Sequence, residues 1–526
     1  MQSFKEIRQG DYLYIDKTQY IYDLLGGVKS YFLSRPRRFG KSLLLDTIAE
    51  VFCGDSELFK GLWISNSGYK FDKHPVIRLD MSNISNTTPE ILQNSLLVEL
   101  KEQLRKENLN SIGDTPSDIF KNQIKSLFDK YKKQVIVLID EYDKPMLDHI
   151  HNAETAEANR DVMRSFYGIL KSMDPYLRLT FITGVTKFSK TSVFSGLNNL
   201  YDITLTKEYA NICGVPVDEL SGHFSEYIKA LSLLDEFNNY ANLQAEILSW
   251  YDGYSWDGVS RVLNPFGLFS FFLQKRFSSY WYASGTPAFL ISILKEKPVT
   301  LLSLRNLEIG ERVLDTFDIR KIDIASLLFQ TGYLTIKNII TRQGPPIYQM
   351  DVPNLEVKEA LFLNIVSEFT GQDEAFTETS YHRLKEAFSY GDLDSVLLIL
   401  KSLFASIPYN LHINREAYYH SIFYAVMSVL GFDAEAEVNT SYGRIDAVLE
   451  LTDKVYIMEF KYTDCEPNTE AGEKTRCFKK MFDEGMNQII DKGYADKFVG
   501  SGKDIYLTVF AFLGRDDIQM KHIVQE

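Results

Sequence analysis

The sequence has few cysteines, no long apolar run and no excess of basic residues. Four cysteines, at positions 53, 213, 465 and 477, are spread over 526 residues, and the last two are spaced too widely for a zinc knuckle. We therefore predict free thiols in a reducing compartment. No apolar stretch approaches the roughly 20 residues of a membrane helix, and the first residues lack a signal-peptide pattern. These absences favour a cytoplasmic protein with no membrane partner.

The charge balance is acidic. Lys and Arg together number 57 and Asp and Glu 71, which gives a net charge of −14. This balance excludes a broadly basic surface that coats nucleic acid, although a local basic patch is compatible with an acidic whole. Since 45% of the residues are hydrophobic and 24% charged, the composition is that of a globular protein. A chain of this length is too long for one hydrophobic core, so we expect two or three domains.

Residues 1–205 alternate between short apolar strands and helices. Continuous apolar strands separated by helices indicate a parallel sheet that is covered on both faces. The sequence therefore predicts an α/β domain with strands at 31–33, 76–79, 135–139 and 179–183 and helices at 42–52, 89–107 and 155–173.

The rest of the chain changes character twice. Residues 206–400 are mostly helical and rich in aromatic residues, and the segment 332–348 suits a hairpin that would form the wing of a winged helix. Residues 401–526 return to a mixed α/β pattern. The predicted domains are thus an N-terminal parallel-sheet domain, a helical middle region and a C-terminal α/β domain, at 1–205, 206–400 and 401–526. Within the last domain we expect a helix at 415–430, a hairpin at 445–462, a helix at 478–491 and a strand at 505–512.

A phosphate-binding loop of the form G-x-x-x-x-G-K-[ST] is present with one substitution, since an arginine replaces the first glycine. A strand enters the loop and a helix begins at its lysine, so the amides at the helix N-terminus can hold a phosphate. Lys41 can reach the β- and γ-phosphate oxygens, and Ser42 can hold Mg²⁺. Three arginines add positive charge. The residues that we predict to bind ATP are Arg35, Arg37, Arg38, Phe39, Gly40, Lys41 and Ser42.

An acidic pair follows the apolar strand at 135–139. The C-terminal ends of parallel strands are where α/β sheets bind ligands. Asp140 would hold Mg²⁺, directly or through water, and Glu141 would polarise the attacking water. Thr183 or Thr186, at the end of the next strand, would contact the γ-phosphate or have a structural role only. The alternative for the acidic pair is a solvated strand end.

Two carboxylates and a lysine lie on the predicted hairpin at 445–462. If the hairpin turns at 452–453, Asp446 lies directly opposite Glu459, and Lys461 points to the same face as Glu459. Two hard oxygen ligands suit Mg²⁺ or Mn²⁺. A neighbouring lysine can position or deprotonate the water that attacks a phosphodiester. We therefore predict a metal site at Asp446 and Glu459, with Lys461 catalytic. The alternative is a surface hairpin with a cross-strand ion pair.

The motifs together resemble those of the AAA-ATPase-like proteins that are common in gut and anaerobic bacteria, in which the arginine in place of the first glycine is typical. The resemblance implies a P-loop ATPase fold and an adenine pocket lined by residues before the loop. The motifs that carry it are Phe4-x-x-Ile7-Arg8, Tyr14-x-Asp16-Lys17-Thr18, the loop at 35–42, Asp140-Glu141-Tyr142-Asp143 and Thr183-Gly184-Val185-Thr186-Lys187. By analogy, Tyr14, Asp16 and Lys17 would line the adenine pocket.

In that family a domain of the PD-(D/E)XK nuclease superfamily usually follows the ATPase. The C-terminal segment resembles this core, with Ile445-Asp446 in place of Pro-Asp. The resemblance implies that Glu416, with His420 one turn later, lies on the preceding helix, and that Gln488 supports the site from the following helix.

We expect an ATP-binding and ATP-hydrolysing protein that is coupled to a metal-dependent nuclease-like domain acting on DNA or RNA. Two alternatives stay open: an ATP-driven switch whose nuclease-like domain only binds nucleic acid or a partner, and a scaffold with both sites degenerate. A homo-oligomer also stays open, in which Arg160 and Arg164 would form an arginine finger rather than a solvated helix face. The aromatic cluster at 250–256 would stack bases or form a packed core.

Overall fold

We describe the fold from a computed structural model. The described residues are 3–187, 193–194, 197, 199–237, 242–281, 307–314, 320, 323–341, 344–370, 373–405, 435–440, 443–451, 453–463, 470–514 and 517–525. They form two compact units: the first ends at Asn354 and the second begins at Leu355. The region 206–400 therefore contributes to both units, and its existence as a separate domain stays a prediction.

The first unit is built on a five-stranded parallel sheet with the strand order β2-β3-β4-β1-β5. Strands β1 and β3 are buried along their whole length, in line with the apolar runs at 31–33 and 135–139. Because β4 lies between β1 and β3, its C-terminal end lies between the phosphate loop and the acidic pair. The strands are β1 Ser30–Ser34, β2 Val76–Asp80, β3 Val135–Asp140, β4 Leu177–Gly184 and β5 Tyr201–Asp202.

Helices flank this sheet, and their ends follow ordinary capping chemistry. Thr88 and Thr115 accept hydrogen bonds from the amides of Ile91 and Asp118, and each is followed by a proline in the first helical turn. The helices are α1 Phe4–Gln9, α2 Thr18–Gly26, α3 Lys41–Cys53, α4 Pro89–Lys106, α5 Pro116–Tyr131, α6 Lys144–Leu147 and α7 Ala153–Ser172; short 3-10 turns lie at Ser56–Phe59, Trp63–Asn66, Met81–Asn83 and Asp174–Tyr176.

The remainder of the first unit is mostly helical, and its aromatic residues form a packed cluster around Phe271 and Tyr251. It also holds a two-stranded sheet, β6 with β7, and a three-stranded sheet in the order β8-β10-β9. Its elements are a 3-10 turn at Lys207–Tyr209, β6 Val215–Pro216, α8 Val217–His223, α9 Ser225–Ser232, a 3-10 turn at Asp235–Phe237, α10 Leu243–Tyr251, β7 Val262–Leu263, α11 Pro265–Gln274, β8 Leu307–Gly310, α12 Glu311–Leu314, α13 Ile324–Thr331, β9 Thr335–Ile340 and β10 Ile347–Asp351.

The second unit holds a five-stranded mixed sheet in the order β11-β12-β13-β14-β15. Strands β13 and β14 run parallel and the other neighbours run antiparallel. One helix packs against β13 and β14, and an apolar core joins two others to the sheet. The elements are α14 Leu355–Thr370, α15 Glu374–Tyr390, α16 Leu393–Ala405, β11 Glu435–Thr440, β12 Gly443–Glu450, β13 Lys454–Thr463, α17 Ala471–Asp491, a 3-10 turn at Asp496–Phe498, β14 Asp504–Leu513 and β15 Asp517–Gln525.

The predicted α/β class and parallel N-terminal sheet are confirmed. The predicted hairpin at 332–348 is present as β9 and β10, and β8 adds a third strand that the pattern did not predict. The predicted helix at 415–430 lies outside the described residues. Cys53, Cys213 and Cys477 are free thiols, and Cys465 also lies outside the described residues. In the part of the chain that the structure describes, no helix is long and apolar enough to cross a membrane.

Candidate functional sites

The phosphate loop connects β1 to α3 and has the backbone that anion binding requires. Gly40, at the N-terminal end of α3, has a φ of 91°, in the left-handed region that glycine adopts without strain. Arg38 also lies in this region, with a φ of 68°. These two residues turn the chain so that α3 begins at Lys41. The loop therefore leads directly into a helix N-terminus, where amides can hold a phosphate.

The Lys41 side chain contacts the main chain of the loop. Its side-chain ammonium donates hydrogen bonds to the carbonyls of Arg35 and Pro36, each at 2.9 Å. Burial lowers the pKa of Lys41, while the nearby Asp140 and Glu141 carboxylates act to raise it. The Lys41 ammonium thus lies near the carboxylates of Asp140 and Glu141, at the N-terminal end of α3.

The hydroxyl of Ser42 and the carboxylate of Asp140 meet at the C-terminal end of the sheet. Ser42 Oγ donates to Asp140 Oδ2 at 2.5 Å, and Thr183 Oγ1 donates to Asp140 Oδ1 at 2.6 Å. The three side chains come from α3, β3 and β4, and the sheet order brings them together. Their oxygens form a compact donor set of the kind that Mg²⁺ prefers.

Glu141 follows Asp140 in an unusual backbone conformation. Its φ is 50°, which is uncommon for a residue other than glycine. Residues in such conformations are concentrated at functional sites. Burial raises the pKa of the Glu141 carboxyl, and Lys41 opposes this rise. A carboxylate with a raised pKa is a better proton acceptor.

Arg35 has a different place from the one that the sequence predicts for it. Its side chain is fully buried, donates to the carbonyls of Ser34, Thr204 and Tyr209, and lies over the Trp256 ring at 4.0 Å. Its main-chain amide donates to the Gly184 carbonyl at 3.2 Å. Burial lowers its pKa to about 10. Its Nη1, Nη2 and main-chain amide groups thus donate to carbonyls of the protein, and Arg35 ties the base of the loop to Thr204 and Tyr209.

The other predicted loop residues divide into two kinds. Phe39 is buried and packs edge-on against Tyr254 and Trp256. Arg38 is exposed, with its guanidinium over the Phe266 ring at 5.0 Å, and Arg37 is half-buried. The two arginines are therefore the cationic side chains of the loop that remain near its surface.

Asp143 is a buried carboxylate whose role the sequence did not reveal. It accepts hydrogen bonds from the amides of Val185 and Thr186 and from Thr186 Oγ1, the last two at 2.6 Å. A Cβ on Gly184 would lie 2.5 Å from the Tyr142 ring and 2.7 Å from Asp143 Oδ1, so the close approach requires glycine. Asp143 thus joins the end of β3 to the end of β4. Thr186 has this structural contact, whereas Thr183 contacts Asp140.

We expect Asp143→Ala to lower the free energy of unfolding by about 3 kcal/mol, because it leaves three buried donors without an acceptor. Urea denaturation measures this change. The control is Asp129→Ala, whose side chain is 71% exposed and which should shift the free energy by less than about 0.5 kcal/mol. Equal stabilities of the two variants would contradict the role assigned to Asp143.

A cavity of about 720 Å³ opens beside Gly40 and the start of α3. Its lining is mostly apolar and includes Tyr14, Lys17 and Phe39. The Lys17 ammonium donates to the carbonyl of Asn211 at 2.8 Å, and burial lowers its pKa to about 8. Asp16, which the family resemblance places here, instead accepts from the amides of Thr18 and Trp63.

The candidate arginine finger and the aromatic cluster at 250–256 both contact neighbouring side chains. Arg160 and Arg164 both pair with Asp161 on their own helix, at 3.1 and 3.3 Å. In the aromatic cluster, Trp250 stacks on Phe277 and Trp256 is buried against the loop. These packing contacts are those of a protein core.

The second site lies on β13 in the second unit. Glu459 is buried, with 1% of its side chain exposed, and its Oε1 accepts from Lys461 Nζ at 2.9 Å. The same ammonium donates to Gln488 Oε1 on α17 at 2.7 Å. A carboxylate, a lysine and an amide from two elements thus form one polar group beneath the helix.

The hairpin has the register that the sequence predicts. Strands β12 and β13 pair Ala447 with Met458 and Val448 with Ile457, and the next position on each strand is Asp446 and Glu459. The side chain of Asp446 lies outside the described residues, as do Glu416 and His420. Among the side chains that the structure describes, no three or more His, Cys, Asp and Glu residues form a metal-binding group.

Comparison with known proteins identifies both regions. Residues 1–194 match the model of the AAA-ATPase-like family, described as "Predicted AAA-ATPase", and residues 414–522 match that of the PD-(D/E)XK nuclease superfamily. An uncharacterized protein in the vnfD 5′ region of Azotobacter chroococcum mcd 1 is 34% identical over 528 residues, which cover 96% of this chain and 94% of the relative. The ORC2 protein of Aeropyrum pernix, solved as ADPNP–ADP complexes, is 8% identical with a TM-score of 0.25, over 66% of this chain and 93% of that chain. The chain belongs to the AAA-ATPase-like family, with a PD-(D/E)XK nuclease superfamily domain at its C-terminal end.

Proposed function

We propose that the first unit binds and hydrolyses ATP with Mg²⁺. The observation that carries this proposal is the contact between Ser42 Oγ and Asp140 Oδ2 at 2.5 Å, beside the Lys41 ammonium. Hydroxyl and carboxylate oxygens are ligands that Mg²⁺ accepts, so these two residues would hold the ion. When bound, Mg²⁺ neutralises charge on the phosphates.

The residues of the chain divide the remaining work. The amides at the start of α3 hold the phosphates, and Lys41 supplies a point charge to the β- and γ-phosphate oxygens. Arg37 and Arg38 add positive charge from the loop. Glu141, whose pKa is raised by burial, orients the attacking water and accepts its proton. Thr183 fixes the Asp140 carboxylate through its hydrogen bond.

The cavity beside Gly40 is the candidate site for the nucleoside. Ligand pockets of this kind are mostly apolar with a few polar groups. Tyr14 and Lys17, which the family resemblance assigns to the adenine pocket, line this cavity. The phosphates would then extend from the cavity past Gly40 to the loop.

The Lys17 pKa gives this placement a pH dependence. We expect ATP affinity to fall as the pH rises from about 7 to about 9, because the ammonium loses its proton near pH 8 and with it the attraction for the nucleotide. In Lys17→Met this fall should be smaller. Nucleotide titrations across this pH range measure the difference, and superimposable curves would contradict the assignment.

We further propose that the C-terminal domain is a metal-dependent nuclease acting on DNA or RNA. Glu459 and Asp446 would hold Mg²⁺ or Mn²⁺, and the buried Glu459 carboxylate beside Lys461 fits this role. When bound, the cation stabilises charge on the phosphodiester. Lys461, held by Gln488 at 2.7 Å, positions the attacking water.

One assay tests both activities together. The purified protein is incubated with Mg²⁺ or Mn²⁺, with and without ATP, against single- and double-stranded DNA and RNA. We expect phosphate release from ATP and metal-dependent cleavage of nucleic acid. ATP turnover without cleavage would favour the ATP-driven switch, and the absence of both would favour a scaffold.

A further inference from the structure

A tryptophan distant in sequence contacts the phosphate loop at a carbonyl other than the two that Lys41 contacts. Trp281 is completely buried, and its indole N–H donates to the carbonyl of Arg37 at 3.1 Å. The two residues are 244 positions apart. A phosphate loop turns amides toward its ligand, so some of its carbonyls face the protein, where a buried carbonyl needs a donor. Trp281 supplies that donor.

A second contact lies beside the first. Gly332 follows α13 with a φ of 94°, and a Cβ there would lie 2.9 Å from the Pro36 Cβ and 3.2 Å from Trp281 Cζ2. The main chain of Gly332 thus packs against both the loop and the indole. The ring of the next residue, Tyr333, packs edge-on against Trp281, with the centroids 5.2 Å apart.

The helix α13, which Gly332 follows, also contacts the segment after β4. Gln330 Oε1 accepts a hydrogen bond from the main-chain amide of Lys187 at 2.8 Å. Lys187 lies just beyond Thr186 and close to Thr183, whose hydroxyl contacts Asp140. One short helix therefore touches both the phosphate loop and the segment that follows β4.

Building on the proposed ATPase function, we propose that Trp281 is a positioning residue of the phosphate loop. It touches the loop carbonyl rather than the reacting atoms, so it acts by holding the loop amides in the orientation that binds phosphate. Loss of the indole N–H would leave the Arg37 carbonyl without this donor and would let the peptide rotate. The principal effect is on nucleotide binding, with a smaller effect on turnover of bound ATP.

The test compares Trp281→Phe with Trp250→Phe in the full chain. Trp250 also donates its indole N–H, to Glu246 on its own helix at 3.1 Å, and its ring stacks on Phe277, so it is the control. We expect Trp281→Phe to raise the KM for ATP about tenfold, with a smaller change in kcat, and Trp250→Phe to leave both values near those of the wild type.

A spectroscopic measurement complements the kinetics. In protein labelled with 5-fluorotryptophan, ADP should shift the fluorine resonance of Trp281, assigned by its absence from Trp281→Phe, and leave that of Trp250 in place. If Trp281→Phe does not fold, Gly332→Ala takes its place, since it presses on Pro36 and Trp281 and should also raise KM; the resonance is then assigned from the other three tryptophan variants.

The outcomes distinguish failure of the proposed ATPase function from failure of the proposed role of Trp281. If the wild type neither binds nor hydrolyses ATP, the proposed function is wrong. If the wild type hydrolyses ATP but a folded Trp281→Phe, or Gly332→Ala in its place, keeps the wild-type KM, the positioning role of Trp281 is overturned while the ATPase stands.

Discussion

Lys41→Ala is expected to abolish ATP hydrolysis and to weaken nucleotide binding. The substitution removes the ammonium that bridges the carbonyls of Arg35 and Pro36 and that, in the proposed function, neutralises the β- and γ-phosphates. Removing one preorganised charge-stabilising group costs about 100-fold or more in turnover. Phosphate release measured at saturating ATP and Mg²⁺ shows the loss.

Glu141→Gln separates binding from chemistry. Glutamine keeps the shape of the side chain and loses the proton-accepting carboxylate, so ATP should still bind while turnover falls.

The control for Lys41→Ala is Lys121→Ala, which removes an exposed lysine on α5 and should keep wild-type activity. Hydrolysis at the wild-type rate by Lys41→Ala would place the active site elsewhere.

Asp446→Ala, Glu459→Ala and Lys461→Ala should each eliminate nuclease activity while leaving ATP hydrolysis intact. The two sites lie in separate compact units, so their losses are independent. In the proposed site, loss of Asp446 or Glu459 would remove a cation ligand, whereas loss of Lys461 would leave the cation bound and the water poorly activated. Cleavage assays on DNA and RNA with Mn²⁺ measure the loss of nuclease activity.

Mn²⁺ calorimetry distinguishes the two classes of variant. Mn²⁺ affinity should fall in Asp446→Ala and Glu459→Ala and persist in Lys461→Ala. Glu450→Ala is the control, because this carboxylate on the same hairpin pairs with Lys503 at 2.7 Å. Equal Mn²⁺ binding by the wild type and Asp446→Ala would make the hairpin a structural ion pair and would favour the ATP-driven switch.

Much of the fold follows from local sequence patterns. The apolar run at 135–139 predicts β3 because a strand buried on both faces reads as continuous hydrophobic sequence. The alternating segments around Asp446 and Glu459 predict the hairpin register, which the pairing of Ala447 with Met458 confirms. In both cases the periodicity of the sequence carries the information.

Residues that act through distant contacts could not be predicted in this way. Arg35 occupies a position of the phosphate motif, yet its guanidinium binds the carbonyls of Thr204 and Tyr209 far along the chain. Trp281 lies in an aromatic segment with no motif around it. Asp143 belongs to the Asp140–Asp143 motif, but only the fold brings it to Thr186. Long-range packing, rather than local propensity, assigns these roles.

The edge strands β11 and β15 of the second sheet also could not be predicted from the sequence pattern. The pattern at 505–512 predicts β14, but β15 is largely exposed and lies at the sheet edge, where one partner strand specifies it. The cavity beside Gly40 draws its lining from segments between Ile7 and Leu273. A site assembled from separate segments leaves no continuous signature in the sequence.

The most direct test of the ATP site is calorimetric titration with a non-hydrolysable ATP analogue in the presence of Mg²⁺. The contact of Ser42 with Asp140 and the position of Lys41 predict one binding site in the wild type, retained in Glu141→Gln and lost or greatly weakened in Lys41→Ala. Equal binding by the wild type and Lys41→Ala, or no binding by the wild type, would contradict the assignment of the phosphate loop as the nucleotide site.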